Sequence, residues 1–382
     1  MLTREANELL TRVGPGTPAG TLLRRYWQPV CLASELTKEK PKKRVQIMGE
    51  ELLVFRLPSE QGTKEIHYGC VGEHCPHRGT SLYYGFVEED GIRCAYHGWK
   101  YDTNGRCLEQ PFEKNPEFKN KIYHKSYPVE RLAGVLFIYM GPPEKKPLLP
   151  RWDVLVRTDG TRTIEVHPVL KCNWLQAMEN SVDTIHTYYL HGHSMKQLGN
   201  PEGRFYYRPV EDYDWDLCEW GITKRCVYGG DRPEEEIRPP LVFPNILRIP
   251  QGYIEALHWR VPIDDTSTQI TVMRFDPKTK PRSVEGPEDP EVIPMDSLMT
   301  PEGEHQMTSF PGQDKMAWET QGRIFDRSQE NLSSSDEGII MYRKMLREQI
   351  EVVQRGGEPM ALVRDPEKNR IIKFDSTKPV LK

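Results

Sequence analysis

Two short Cys–His pairs lie close together in the first third of the chain. One residue separates Cys75 from His77, two separate Cys94 from His97, and 16 residues lie between the pairs. One thiolate and one imidazole from each pair can hold a [2Fe–2S] cluster, with the two Cys on one iron and the two His on the other. Neutral imidazoles in place of two thiolates raise the reduction potential above that of a four-Cys ferredoxin.

Two Cys and two His are also the ligands of many zinc sites, so zinc is the alternative. Zinc fingers usually place both Cys in one pair and both His in the other. Here each pair contains one of each, and Gly79 and Gly98-Trp99 follow the two pairs. The mixed pairing therefore favours an iron–sulfur cluster over zinc.

The elements that position these pairs are predicted to be short strands. Residues 82–87 and 91–93 indicate a hairpin with Asp90-Gly91 as its turn, which would return the second pair beside the first. Further strand-like runs separated by turns occur at 44–48, 52–55 and 135–139. The absence of helical periodicity predicts an all-β domain over roughly 25–140. The proline-rich segment 141–147 is the candidate linker.

A second group of polar residues lies on a predicted helix over 174–190. Asn180, Asp183 and His186 are spaced i, i+3 and i+6, so they share one broad helix face. Two His and one carboxylate form the ligand set of non-haem Fe(II) oxygenases, which leaves positions open for O₂. A solvated helix, or one whose polar groups are satisfied in the core, shows the same spacing. The Cys–His pairs upstream make the metal interpretation the stronger one.

The second histidine of such a set is either His191 or His193. Ideal helix geometry favours His193, because i+7 from His186 returns to within about 20°, whereas i+5 points about 140° away. Gly192 is a poor helix former, however, and a chain that leaves the helix near Leu190 frees His191 to turn inward. The spacing alone leaves both choices open.

The rest of the second half is predicted to be mixed. Strands are expected near 217–227, 246–249, 254–261 and 268–275. A long helix is expected from Ser335 or Asp336 to Gln354, with Gly356-Gly357 as its stop. Antiparallel strands with helices on one face predict an α+β domain.

Composition excludes several classes of protein. The chain has 382 residues and a net charge of −4, which gives no electrostatic case for nucleic acid or for a polybasic membrane patch. A mean hydropathy of −0.66 and the lack of an 18-residue apolar run argue against a transmembrane helix. Six further cysteines show no tight framework and are expected to be free thiols in a reducing cytosol. We therefore expect a cytoplasmic protein without a nucleic-acid or membrane partner.

Both motifs resemble those of the catalytic α subunits of Rieske non-haem iron oxygenases. Cys-x-His-x₁₆-Cys-x₂-His at 75–97 and Asn-x₂-Asp-x₂-His-x₄-His at 180–191 match that family, and the resemblance covers nearly the whole chain. Further segments are similar to the phthalate dioxygenase and dehydrodivanillate O-demethylase-like branch: 22–30, 313–322, 324–330 and 335–340.

The resemblance implies the ligands of a mononuclear Fe(II). They would be His186, His191 and, on a C-terminal helix, Asp314. Glu319 and Asp326 are the neighbouring carboxylates and are expected to be solvated or capping instead.

The resemblance also implies roles for two residues of the helix beside the iron. Asp183 would hydrogen-bond a cluster-ligating His of a neighbouring subunit and a His ligand of the mononuclear iron, and so act as an electron bridge. A carboxylate that accepts an imidazole N–H is a usual partner of a metal-bound His. Asn180 would be a supporting neighbour of the iron, and the assembly would be a homotrimer or a dimer of trimers.

The implied architecture is α+β. An N-terminal segment over 1–25 precedes an all-β Rieske domain over 26–141, and a catalytic domain with a helix-grip (START-like) antiparallel sheet and C-terminal helices covers 150–382.

The implied function is that of a terminal oxygenase. O₂ would be activated at the mononuclear iron to O-demethylate or hydroxylate a small aromatic carboxylate. Electrons would come from NAD(P)H through a separate reductase, with or without a ferredoxin, because nothing resembles a flavin or nicotinamide fold. The alternatives are a cis-dihydroxylating ring dioxygenase and a non-catalytic Rieske electron carrier. Arg238 is a candidate partner of the substrate carboxylate, and an ordinary surface arginine is the alternative for it.

Overall fold

The computed structural model describes most of the chain: residues 1–59, 66–201, 203, 206–229, 234–251, 254–279 and 289–374, with the backbone alone at 234–239, 250 and 251. The chain divides into two compact units. One consists of Arg24–Leu149, and the other combines Met1–Leu23 with Pro150–Lys382. None of the helices within the described residues has both the length and the apolar character needed to cross a bilayer.

The unit Arg24–Leu149 is built from antiparallel strands and short 3₁₀ turns. Its strands are β1 (Trp27–Leu32), β2 (Lys42–Ile47), β3 (Glu50–Arg56), β4 (Tyr68–Gly72), β5 (Phe86–Glu88), β6 (Gly91–Arg93), β7 (Lys100–Tyr101), β8 (Cys107–Glu109), β9 (Val129–Leu132) and β10 (Val135–Tyr139). They form three sheets, in the orders β1-β10-β9, β2-β3-β4 and β5-β6-β7-β8. The prediction of an all-β domain in this part of the chain is confirmed.

The hairpin between the two Cys–His pairs is β5–β6, and it differs in detail from the prediction. The first strand begins at Phe86 rather than 82, because Leu82–Tyr84 form a 3₁₀ turn capped by Ser81. Gly91 pairs with Glu88, so the turn consists of residues 89 and 90 rather than Asp90-Gly91. A Cβ on Gly91 would lie 2.0 Å from the carbonyl oxygen of Tyr101, so β6 and β7 need glycine here.

The other unit combines helices with one large sheet. The helices are α1 (Arg4–Thr11), α2 (Pro18–Leu23), α3 (Asp153–Val156), α4 (Trp174–Val182), α5 (Ser194–Gln197), α6 (Phe310–Glu319) and α7 (Glu337–Gln354). The strands are β11 (Thr161–Val166), β12 (Val210–Cys218), β13 (Gly221–Tyr228), β14 (Glu234–Val242), β15 (Ile246–Gln251), β16 (Ile254–Asp264), β17 (Ser267–Asp276) and β18 (Glu291–Ile293). The predicted strand at 217–227 is in fact a β12–β13 hairpin.

The eight strands have the order β12-β13-β14-β15-β16-β17-β11-β18. Every neighbouring pair is antiparallel except β11 and β18, which are parallel. One sheet face buries Ala256 and Val272 against Ala177 of α4 and Trp318 of α6. This apolar layer holds α6, which carries Asp314, and α4, which precedes the segment with His186 and His191. The predicted α+β class is confirmed.

The predicted helix over 174–190 is wrong in its length. α4 ends at Val182, and Asp183 has extended backbone angles of φ −79° and ψ 122°. Its Oδ1 accepts hydrogen bonds from the N–H groups of Ile185 (2.8 Å) and His186 (3.3 Å). An Asp side chain that satisfies these amides replaces the helical hydrogen bonds, which ends the helix. Thr187–His193 then form a π-helical turn.

Candidate functional site

Two loops with the same backbone pattern present the four predicted cluster residues. In each loop the Cys N–H donates to the carbonyl five residues on, and the Cys carbonyl accepts from a Gly N–H four residues on. The contacts are Cys75 with Thr80 (2.9 Å) and Gly79 (2.8 Å), and Cys94 with Trp99 (2.8 Å) and Gly98 (3.0 Å). Both glycines have positive φ, +75° and +71°, which suits a residue without Cβ.

The side chains of the two loops face one another. Cys75 and Cys94 are buried, and the hydroxyl of Tyr101 lies 3.3 Å from the Sγ of Cys75. The rings of His77 and His97 have centroids 4.5 Å apart, at an angle of 72°. Burial raises the pKa of the Cys75 thiol, and the neighbouring Cys94 thiol adds to the rise. Two buried thiols that face one another become thiolates together only beside a cation, so the donor set fits a metal cluster.

The spacing of these donors argues against zinc. Four ligands at about 2.0–2.3 Å from one ion lie within about 4 Å of one another. Within the described residues, three or more His, Cys, Asp or Glu donors approach one another within 4.8 Å at two places, and neither includes Cys75 or Cys94. The Nδ1 atom of His77 is buried and has no hydrogen-bond partner among the described residues. The unsatisfied imidazole fits a metal centre of either kind, whereas donors that do not all converge within 4.8 Å fit two irons better than one zinc.

The first of those two places is the candidate mononuclear site. It consists of His186, His191 and Asp314, whose ligand atoms all lie within 4.8 Å of one another. Asp314 Oδ1 is 3.4 Å from His191 Nε2 and 4.0 Å from His186 Nε2. The π-helical turn accounts for the pairing of the histidines, because i→i+5 geometry brings residues five apart to one side. The second place, Glu51, Glu73 and His74, is exposed at two of its three residues.

The electrostatics of the first group suit a cation. Burial acts to raise the pKa of the Asp314 carboxyl, but His191, His186 and Arg260 outweigh it and hold the pKa below its usual value. The Oδ1 atom of Asp314 is buried and has no hydrogen-bond partner among the described residues. An ionised carboxylate with a buried unsatisfied oxygen beside two imidazoles is the donor set expected of a non-haem iron site.

Asp183 faces the outer nitrogen of the first histidine. Its Oδ2 lies 3.5 Å from His186 Nδ1, while its Oδ1 is held by the backbone amides at the end of α4. Burial acts to raise the pKa of Asp183, and the contact with His186 reverses this, so the pKa is lowered. The backbone carbonyl of Asn180 accepts a hydrogen bond from the N–H of Asp183 at 3.2 Å.

His193, the choice favoured by ideal helix geometry, lies outside this group. Its Nε2 is 2.8 Å from the amide Nε2 of Gln197. Glu319 accepts hydrogen bonds from Lys171 N–H (2.7 Å) and contacts His305 Nε2 at 3.0 Å. Asp326 is exposed and accepts from the N–H and hydroxyl of Ser328. The side chain of Arg238 lies outside the described residues.

Two contacts in this region could not be predicted from the sequence. The amide of Gln313 contacts Nδ1 of His191 at 2.8 Å, across 122 positions of the chain. The buried carboxylate of Glu179 accepts two hydrogen bonds of 2.7 Å from Arg327 and one of 2.6 Å from Arg343. Glu179 was visible in the motif, but its partners come from distant segments whose position depends on the fold.

Comparison with known proteins agrees with these two centres. A family profile described as "Rieske [2Fe-2S] domain" matches residues 26–128, and one described as "LigXa C-terminal domain like" matches residues 297–378. The 5,5'-dehydrodivanillate O-demethylase oxygenase subunit of Sphingobium sp. (strain NBRC 103272 / SYK-6) is 39% identical over 381 residues, which cover 97% of this chain and 86% of that protein. The phenoxybenzoate dioxygenase subunit alpha of Ectopseudomonas oleovorans is 36% identical, over 92% of this chain and 86% of that protein.

The chain therefore belongs to the Rieske non-haem iron oxygenases, enzymes that use a Rieske [2Fe–2S] cluster, a mononuclear iron and O₂. Within them it is a catalytic α subunit of the branch that includes phthalate dioxygenases and dehydrodivanillate O-demethylases. A solved structure of the oxygenase and ferredoxin complex of carbazole 1,9a-dioxygenase has the same fold, with a TM-score of 0.60 and 19% identity over 92% of this chain and 96% of that chain.

Proposed function

We propose that seven side chains hold the two metal centres. The cluster ligands are Cys75, Cys94, His77 and His97, and the mononuclear iron ligands are His186, His191 and Asp314. When bound, the cluster supplies single electrons and the iron activates O₂. The protein orients the imidazoles, keeps Asp314 ionised, and places Asp183 against the outer nitrogen of His186.

One observation carries the choice of an oxygenase over a non-catalytic electron carrier: the convergence of two imidazoles and one carboxylate at a site distinct from the Cys–His loops. An electron carrier needs two irons per chain, and an oxygenase needs three. We expect three irons per chain by elemental analysis, and two in Asp314→Ala, with an unchanged cluster spectrum. Two irons in the unmodified protein would favour the carrier.

The proposed reaction is O-demethylation or hydroxylation of a small aromatic carboxylate. The relative named as a dehydrodivanillate O-demethylase subunit, 39% identical over almost the whole chain, supports it. The relative named as a phenoxybenzoate dioxygenase supports cis-dihydroxylation as the second candidate. Substrate-dependent O₂ uptake with a surrogate reductase, over methoxylated and unsubstituted aryl acids, separates the two. Release of formaldehyde and a phenol indicates demethylation, and a cis-diol indicates dihydroxylation.

A half-buried histidine on the large sheet supports an acidic substrate. His258 and Arg260 are two residues apart on β16, so their side chains lie on the same face of the sheet. Arg260 donates a hydrogen bond to the carbonyl of Ala177 in α4. The Nε2 atom of His258 is buried and has no hydrogen-bond partner within the described residues. Burial, with Arg260 and Arg274, lowers the pKa of His258 well below its ordinary value. Arg274 is paired with Glu165, so a carboxylate that accepts a hydrogen bond from this neutral imidazole would have Arg260 as its nearby cation.

The test of this contact compares an aryl acid with its methyl ester. His258→Phe should raise KM for the acid by tenfold or more and change KM for the ester little, because the lost hydrogen bond is charge-assisted for the acid alone. His193→Phe is the matched control, since that ring lies outside the site. An equal effect on acid and ester would argue against carboxylate recognition by His258.

The proposed partners are a separate reductase, with or without a ferredoxin, and further copies of this chain in a homotrimer or a dimer of trimers. The solved oxygenase–ferredoxin complex of carbazole 1,9a-dioxygenase supports a separate electron donor. Light scattering during size-exclusion chromatography should give three or six times 44.4 kDa. A monomer that turns over at full rate would exclude the proposed assembly. The cytoplasmic location stays a prediction.

A further inference from the structure

The side-chain amide of Gln313 is held by two hydrogen bonds. Its Nε2 donates to the carbonyl of Met307 at 2.9 Å, and its Oε1 lies 2.8 Å from Nδ1 of His191. The carbonyl of Met307 can only accept, so the NH₂ end of the amide belongs there and the oxygen faces the histidine. It follows that Nδ1 of His191 carries the hydrogen and Nε2 carries the lone pair, 3.4 Å from Asp314.

Gln313 is connected to two proposed ligands, to His191 by its hydrogen bond and to Asp314 by the chain. Gln313 is fully buried and immediately precedes Asp314 on α6. Its hydrogen bond to His191 therefore links the π-helical turn to α6 through one rigid amide. The rings of Phe310 and Tyr206 pack beside the same imidazole, with centroids 5.1 and 5.6 Å away, and restrict its tilt.

The two histidines differ in the charge of their outer partners. His186 faces the carboxylate of Asp183, whereas His191 faces a neutral amide. Carboxylate partners increase the basicity of a metal-bound imidazole, and a neutral acceptor fixes the tautomer without adding charge. At the two Nδ1 atoms, His186 thus faces a carboxylate and His191 faces an amide.

We propose that Gln313 is a positioning residue for the mononuclear metal: it fixes the tautomer and the orientation of His191. The inference rests on the proposed function, since it takes His191 as a ligand. It adds a residue outside the two motifs, and it gives the Nδ1 atom of His191 an amide partner where that of His186 has a carboxylate.

The test measures metal binding rather than turnover. Mononuclear iron is removed by chelation, and Zn²⁺ binding is measured by chelator competition and elemental analysis, which separates zinc from cluster iron. Gln313→Met keeps the volume and the unbranched shape but has no oxygen to accept the N–H. It should weaken Zn²⁺ binding about 10–100-fold, as for other partners of metal-bound His. Gln313→Leu is the second variant.

The matched control is Gln197→Met, since Gln197 makes a 2.8 Å contact with His193 at an exposed place. It should bind Zn²⁺ as the unmodified protein does. Gln313→Met with unchanged affinity would overturn the proposal.

A double-mutant cycle separates positioning of His191 from general packing of α6. If Gln313 acts through the ring, Gln313→Met should cause no further loss once His191→Ala has been made. Fully additive losses would overturn the proposal. If His191→Ala alone binds Zn²⁺ normally, the ligand assignment fails instead. As a spectroscopic readout, the ferrous–nitric oxide EPR signal should broaden in Gln313→Met and stay unchanged in Gln197→Met.

Discussion

The carboxylate of Asp183 lies 3.5 Å from Nδ1 of His186, across the break that ends α4. The same carboxylate causes that break, because its other oxygen accepts from the amides of Ile185 and His186. Asp183 therefore has a local structural role and faces a proposed iron ligand. Its proposed role as an electron bridge to a neighbouring subunit depends on Oδ2, the oxygen that faces the ring of His186.

Asp183→Asn should separate the two roles. Asn keeps the shape and can still accept the backbone hydrogen bonds, but it lacks the charge that supports the imidazole N–H. We expect three irons per chain and normal reduction of the cluster, with product formation reduced at least a hundredfold. Rapid-mixing measurements of cluster reoxidation in the presence of substrate would show the block directly. Turnover at the rate of the unmodified enzyme would rule out the bridge.

Mixed trimers make the bridge prediction more specific. Chains with Asp183→Asn keep an intact cluster, and chains with Cys75→Ser keep an intact mononuclear site. Co-assembled, they should recover part of the activity that each lacks alone, if electrons cross between subunits. Zero recovery in verified mixed trimers would place the transfer within one chain.

His191→Ala and His193→Ala test the π-helical turn. His191→Ala should lose mononuclear iron and turnover and keep the cluster spectrum, because the cluster loops belong to the other compact unit. His193→Ala removes only the contact with Gln197 and should keep three irons per chain. Iron analysis of the two purified variants decides the matter, and the opposite pattern would mean that regular helix geometry continues through Gly192.

The Cys–His pairs were open to prediction because the signal is local: each loop closes on itself within six residues. The helix over 174–190 was predicted too long, and the reason is also local, although residue types and their spacing do not reveal it. Asp183 competes with the backbone for its own amides, and a helical wheel does not include that competition. The contact between Gln313 and His191 depends on the packing of α6 against the π-helical turn, so it could not be predicted from one sequence.

Removal of one member of the buried ion-pair network on α4 should be strongly destabilising. Glu179 is buried and accepts from Arg327 and Arg343, both of which are buried as well. Glu179→Gln leaves the buried guanidinium of Arg327 without a counter-charge and Arg343 with Glu330 alone, which typically costs about 3–5 kcal/mol. Urea unfolding followed by tryptophan fluorescence measures this loss. Glu348→Gln, whose partner Lys344 is exposed, is the control and should change stability by less than about 1 kcal/mol.

The stability of the larger unit should depend on acid pH through Glu165. Burial acts to raise the pKa of this carboxyl, but His167 and two contacts of 2.9 and 3.0 Å from Arg274 outweigh it and lower the pKa to about 2. Relative to an unfolded value of 4.5, this corresponds to on the order of 3 kcal/mol. Above pH 4.5 the carboxyl is ionised in both states, so the stabilisation is fully present.

As the pH falls from 4.5 towards 2, the unfolded chain takes up the proton first and the stabilisation from Glu165 is lost. Glu165→Gln should therefore be less stable than the unmodified protein at pH 7 by on the order of 3 kcal/mol, and the difference should shrink steadily below pH 4.5. Urea midpoints at pH 7, 5, 4 and 3 measure it. Glu302→Gln, an exposed carboxylate on a turn, should show no such convergence. A difference that stays constant down to pH 3 would mean that Glu165 stabilises the fold by packing and hydrogen bonding rather than by its charge.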